Sequence, residues 1–342
     1  MLDLHSAPRL DHLKRLCGDH GIIQFSRGDE PDLGSGFCLD DNVRLLVACV
    51  AIRAEAENAF ARSAGERALE FIEEAGAHSP QFHNMMDQYG RFTDRFASPE
   101  SIGRLIRALG ITLRDSTDER WLSIARAELH RASTALAALS TEHARAFAVL
   151  GFAAAVEAGE AEYRAPLRAG AEAMLFELGR NASPQWYWPL SEMSYDNGRL
   201  PEALLRAGTV LNDQELRREG MRVLEFLGEV VQPKDRFEPI GAPGWYPRGG
   251  TRPCYAQQPL EAQAMMEAWL AAGERAKAEV AYDWFLGNNL DGLCVADLAT
   301  GGCRDAIDTP GKLNMNMGAE STLAYVQAAM NACALDQNQI VA

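Results

Sequence analysis

Along this chain apolar residues return every three or four positions, and alternating Val/Ile/Thr segments bounded by hairpin turns are nearly absent. With the cap signals, that spacing predicts about twelve helices, at 7–17, 40–60, 64–76, 99–114, 118–139, 142–157, 160–179, 198–211, 213–232, 258–272, 274–287 and 317–335. Pro166 either kinks the seventh or marks its first turn.

Two alternations run through the series. Val43 to Ile52, Ala144 to Val156 and Leu323 to Leu335 are apolar nearly all round, as helices covered on every side are. Glu66 to Glu74, Glu119 to His130, Asp213 to Glu229 and Glu274 to Phe285 instead carry charges at helical spacing and offer one face to solvent; 99–114 and 198–211 fit the alternation less cleanly. Loop length alternates too. Short links at Ser63-Ala64-Gly65, Ala158-Gly159, Asn212 and Ala272-Gly273 force antiparallel neighbours, whereas most of the alternate links are long and hold the unusual residues. An inner ring of buried helices inside an outer ring satisfies both patterns. The expected fold is therefore all-α, an (α/α)6 toroid, with 1–342 as a single domain ending in a flexible tail at 336–342. The rivals are a two-layer bundle or an α-solenoid, and no repeat of fixed period supports the solenoid.

Charge narrows the partners. A formal net charge of -15 without a Lys/Arg block argues against nucleic acid or an anionic membrane. No apolar run is long enough to span a bilayer, and Met1 to Leu10 lacks a signal-peptide pattern. Seven scattered cysteines read as reduced thiols of a cytoplasmic protein. Without Cys-x-x-Cys or zincin-type His spacing, neither a metal nor a cofactor is expected.

In a toroid, the six segments leading into the inner helices open on one face. They carry Asp40, Asp41 and Arg44; His83 and Asn84; Glu142 and His143; Trp186, Trp188, Glu192, Tyr195 and Asp196; Trp245, Tyr246, Arg248, Gln257 and Gln258; and Asn314, Asn316 and Glu320. Aromatic rings stack on the apolar faces of sugars, and Asp, Asn, Gln and Arg bind hydroxyls in the ring plane. Converging at one mouth, these residues read as a carbohydrate site, with Asp41, Asp196 and Glu320 as the carboxyl set and Arg44 or Arg248 as anion ligands. Each also has a plainer reading. Asp40 or Asp41 caps a helix, Asp196-Asn197-Gly198 is a turn, and Glu320 answers a helix dipole. His83 is a hydrogen-bonded structural histidine, Arg44 neutralises Asp40 or Asp41, and Met85, Met86, Met265 and Met266 fill the core.

The runs GIIQFSRGDEPDLGSGFCLDDNVRLLVA, FHNMM, YDNGRLPEALL, FEPIGAPGWYPRGG, QQPLEA, DWFLGNN and NMNMGAEST resemble one bacterial family over roughly residues 18 to 330. It is the largely uncharacterised (α/α)6 domain found alongside group 1 glycosyltransferases, often near β-mannoside phosphorylase genes or in polysaccharide loci. The resemblance implies a toroid, a carbohydrate ligand and a glycosyltransferase partner, although this chain has no Rossmann-type strands or nucleotide-phosphate loop of its own. It departs from the family at Ala97 to Gly103, where relatives carry an acidic-histidine stretch.

Three functions compete. The first is a glycoside hydrolase or phosphorylase working on an oligosaccharide, with or without inorganic phosphate, through paired carboxyls. The second in rank is a non-catalytic carbohydrate-binding partner of a glycosyltransferase. The third is a sugar epimerase, which requires two of His20, His83 and His143 to face each other across the pocket.

Overall fold

The protein is described by a computed structural model covering residues 7–52, 55–77, 81–134, 139–233 and 235–336. Twelve α-helices lie among the described residues: α1 Asp11–Leu16, α2 Leu39–Ala51, α3 Asn58–Gly76, α4 Pro99–Asp115, α5 Glu119–Ser133, α6 Glu142–Glu157, α7 Arg164–Asn181, α8 Arg199–Leu211, α9 Gln214–Val231, α10 Pro259–Ala271, α11 Arg275–Asp283 and α12 Ala319–Asp336. The even-numbered helices pack in the cycle α2, α4, α6, α8, α10, α12 and back to α2. Each carries an odd-numbered helix outside it, and the short α1 lies against α12. This is the (α/α)6 toroid. Contact between α2 and α12 closes the ring and rules out a solenoid.

Several boundaries differ from the sequence expectation. The stretch 40–60 is not one helix: α2 ends at Ala51 and α3 begins at Asn58, so Ser63-Ala64-Gly65 lies inside α3 and is no link. Its small residues resemble a turn because α3 packs closely there; a Cβ on Gly65 would strike the Trp121 indole. The fifth helix stops at Ser133. Pro166 falls in the first turn of α7, where its missing N–H has no helical partner to lose. Of the tail expected at 336–342, residues 337–342 lie outside the described residues. Among the described residues, six two-stranded antiparallel ribbons, with strands of two to four residues, tie the long loops together. Strands so short leave no alternation to read.

The inner ring is tight because its seams are made of small residues. A Cβ on Gly103 would meet the Ala144 carbonyl, one on Gly110 the Gly151 carbonyl, and one on Gly151 the Ile106 backbone, so α4 and α6 touch backbone to backbone. Sharp starts aim the inner helices at one face. Ser98 and Thr141 cap α4 and α6 through their hydroxyls, and Pro259 opens α10. Overpacking that seam is expected to cost about 1–3 kcal/mol: Gly151→Val should lower the urea midpoint of unfolding accordingly, and an unchanged midpoint would mean the two helices have room to part.

Candidate functional site

At the mouth of the ring the chain enters α2 through the ribbon Phe37–Cys38, which pairs with Met85–Met86. Neither aspartate caps the helix, contrary to the sequence expectation. Cys38 does: its sulfur accepts the Asp41 N–H at 3.4 Å, and its thiol donates back to Asp41 Oδ2 at 3.2 Å. Both aspartates are thereby free to face inward. Asp40 Oδ2 accepts from the Ser101 hydroxyl at 3.1 Å, and Arg104 Nη1 donates to Oδ1 at 3.3 Å. Arg44 donates from Nη1 to Asp41 Oδ1 at 2.8 Å and from Nη2 to Glu320 Oε2 at 2.6 Å. One guanidinium thus joins the first inner helix to the last.

Above this floor is a cavity of about 280 Å³, bounded by Asp40, Asp41, Arg44, Arg104, Asp305 and Glu320, with Gln24, Phe25, Asn84 and Gln258 around it. Behind Arg44 and Arg104 lies a second chamber of about 30 Å³, bounded also by Asp196, Glu320, Gln263 and Gln327. Asp41 and Glu320 line the first, Asp196 and Glu320 the second. Asp196 reaches its place through a left-handed backbone (φ 52°). Glu261 holds that turn, accepting the backbone N–H groups of Asp196 and Asn197 and the Asn197 side-chain amide. The segment is therefore both the turn and the site wall that its sequence allowed. Below it Arg199 ties Asp196, Glu202 and Glu267 together, with Arg107 on Glu267.

Burial tunes these groups. Desolvation lifts the Asp41 carboxyl to about 6 although Arg44 pulls it down. Burial, with repulsion from Asp196, raises Glu261 to about 8. Burial also raises Asp305 and lowers His143. Arg44 is held protonated by its two carboxylates against the burial that opposes it.

Other expected ligands lie elsewhere. Trp186 and Trp188 are 3% and 0% exposed, and their indole N–H groups donate to the Leu190 and Glu192 carbonyls at 2.8 and 3.1 Å. They are core residues of their own loop and offer no face to a sugar. Gln257 is buried between the Trp284 indole N–H (3.0 Å) and the Cys254 carbonyl (2.9 Å). Arg248 turns away to the Asn181 carbonyl and Ser183 hydroxyl, and Glu192 is exposed on a ribbon opposite Pro247. Asn314 and Asn316 brace a loop, accepting from the N–H groups of Asn316 and Gly28. His83 bonds the Asp94 carbonyl at 3.0 Å and stacks on Phe92, the structural role that its neighbours indicated. Trp245 leans on Tyr195, and Tyr246 meets Trp186 edge-on. Tyr195 donates its hydroxyl to Glu100 and stacks on His143.

The residue that sequence reasoning missed is Arg104, which also approaches Asp196 at 3.9 Å and lies over the Phe147 and Tyr195 rings. Its Nε is buried without a partner. A signal existed: Arg104 and Arg107 sit three apart on the segment 99–114, whose charges fit the alternation poorly, and on an inner helix such positions face the ring axis. Cys38, Gln24, Phe25, Asp305 and Glu261 were likewise not picked out.

No protein-family model matches the chain, and no curated protein matches it in sequence. In structure it is similar to a cellobiose 2-epimerase from Bacillus thermoamylovorans (TM-score 0.73, 12% identity, 96% of each chain covered). It is also similar to a sugar epimerase from a ruminal bacterium (0.69, 15%, 96% of each). A GH76 α-mannanase from Bacteroides thetaiotaomicron superposes with TM-score 0.62 at 11% identity, over 89% of this chain and 87% of that one. At such identities the likeness carries the fold alone.

The raised carboxyls have a consequence for stability. Asp41 and Glu261 bind their protons more tightly folded than unfolded, where carboxyls titrate near about 4. Their contribution is complete below that pH and is lost as pH rises through about 6 for Asp41 and about 8 for Glu261. Melting temperatures taken from about pH 5 to about pH 9 should therefore fall, with Glu261→Gln removing much of the drop above about pH 6. Parallel curves for the two proteins would refute the assignment.

Proposed function

We propose that the protein is a glycoside hydrolase that uses Asp41 and Glu320 as its acid/base pair. The observation that carries this reading is the Arg44 bridge, which holds both carboxyl groups at the border of one cavity. With one guanidinium between them, their bonded oxygens lie no more than about 8 Å apart, within the reach of paired-carboxyl glycoside chemistry. Asp41, 5% exposed and titrating near 6, retains a proton to give to the departing glycosidic oxygen. Glu320, 40% exposed, takes the proton of the incoming water, whose remaining hydroxyl bonds to the anomeric carbon. Asp196 faces the smaller chamber, which has room for one or two waters.

Hydrolysis fits better than phosphorolysis. The cavity carries four carboxyl groups, Asp40, Asp41, Asp305 and Glu320, against Arg44 and Arg104, and both arginines are already paired with carboxylates. A phosphate would find no uncommitted cation there. Epimerisation is the alternative that the fold also allows; it requires two histidines at the site, whereas among the described residues neither chamber is lined by one, and His20, His83 and His143 pack against Phe37, Phe92 and Tyr195. Sugar-active names among the structural neighbours agree with a carbohydrate substrate. A glycosyltransferase partner and a bacterial setting rest on the sequence resemblance, and a cytoplasmic one on the scattered cysteines.

The test is a screen of manno-, gluco- and galacto-oligosaccharides with and without phosphate, read by reducing-sugar release. Asp41→Asn and Glu320→Gln should each lower kcat by roughly 10²–10⁴-fold while the protein stays folded. The native rate should decline as pH rises through about 6, where Asp41 loses its proton. Full activity in both variants would sink the assignment.

A further inference from the structure

We infer that the site admits one neutral sugar ring at the end of a chain, so that the enzyme shortens oligosaccharides from a terminus. This rests on the hydrolase reading and specifies its substrate.

The argument begins with the floor. Arg44 is fixed by Asp41, by Glu320 and by Gln327, whose amide donates to the Arg44 carbonyl at 3.1 Å. Arg104 is fixed by Asp40 and by the rings of Phe147 and Tyr195. Behind them the remaining space is about 30 Å³, enough for water and too small for a sugar. Farther along the axis, Gln263 bonded to Gln327 and the Arg199–Glu267–Arg107 cluster block the passage. A polysaccharide therefore cannot thread the ring. The upper cavity, about 280 Å³, lies just under the roughly 300–1,000 Å³ of pockets that take drug-sized ligands. It suits one pyranose. Asp41 is buried on the closed side of that cavity, so a glycosidic bond approaches it with one end ring inside the cavity and the rest of the chain outside.

The lining specifies what that ring presents. Gln24, Asn84 and Gln258 on the wall carry side-chain amides, which both donate and accept, as hydroxyl groups require. The excess of carboxyl groups over guanidiniums disfavours a uronate or a sugar phosphate. Phe25 belongs to the same wall, yet its side chain is 55% exposed. Its backbone is anchored on both sides, its N–H to the Ser35 hydroxyl at 3.1 Å and its carbonyl to the Asp32 N–H at 2.9 Å. A fixed, exposed ring at the entrance is a platform for the second sugar.

The experiment follows cleavage of manno-, gluco- and galacto-hexasaccharides by the intact protein from the earliest time points. Monosaccharide and pentasaccharide should appear together, and the free monosaccharide should compete for the site. Phe25→Ala should raise KM for a trisaccharide about two- to tenfold, more than it weakens inhibition by the monosaccharide. Di- and trisaccharides as first products, or no competition by the monosaccharide, would overturn the inference while leaving the hydrolase reading intact. An unchanged KM in Phe25→Ala would remove the platform. Failure of every oligosaccharide to bind in calorimetry or to be cleaved would overturn both.

Discussion

A guanidinium taken out of water must find anions at fixed positions, and in this ring Arg44 finds two that come from opposite ends of the chain. Much of the interior obeys the same constraint. Going down the axis, Arg104 sits against Asp40 and near Asp196, Arg199 against Asp196, Glu202 and Glu267, and Arg107 against Glu267. Every inner helix but α6 supplies a charge or an amide that its neighbours complete, and α6 supplies the Phe147 ring beneath Arg104. Removing one partner strands another charge in a low-dielectric interior, so the axis acts as a unit. The same arrangement explains why burial lifts the Asp41 carboxyl while Arg44 restrains it.

Polar groups can occupy the axis because apolar contact is provided elsewhere. Glycine seams bring α4 and α6 together on their backbones, and Phe152, Leu109 and Trp284 are buried in the hydrophobic core. The long loops are then pinned by short ribbons and by backbone-to-side-chain bonds, among them the buried Glu261 hold on the Asp196 turn. Chemistry is thus carried on helix starts and braced turns rather than on free loops. That suits a site whose groups must stay within an ångström or so of their working positions.

The ring was legible in the chain because its two signals are strong: helices apolar on every side, and links alternately short and long. The mouth was legible through the same alternation, which brought Asp41, Asp196 and Glu320 to adjoining chambers. What failed was inference from residue type. Trp186 and Trp188 looked like sugar platforms, but a large indole with one donor is as readily satisfied by a carbonyl four residues on. Asp40 and Asp41 looked like caps because the capping sulfur of Cys38 is a weak acceptor seldom considered for that position. Ser63 to Gly65 looked like a link because small residues serve close packing and turns alike. Arg104 was passed over because a charge on a helix ordinarily marks the solvent side.

Closure of the ring has a further consequence. Arg44 is made early in translation and Glu320 late, and α1 also waits for α12 before its apolar side is covered. A chain still emerging from the ribosome therefore carries Asp41 beside a cation that is only half neutralised, with one wall of the pocket missing. The pocket is completed abruptly, when the last helix docks on the first.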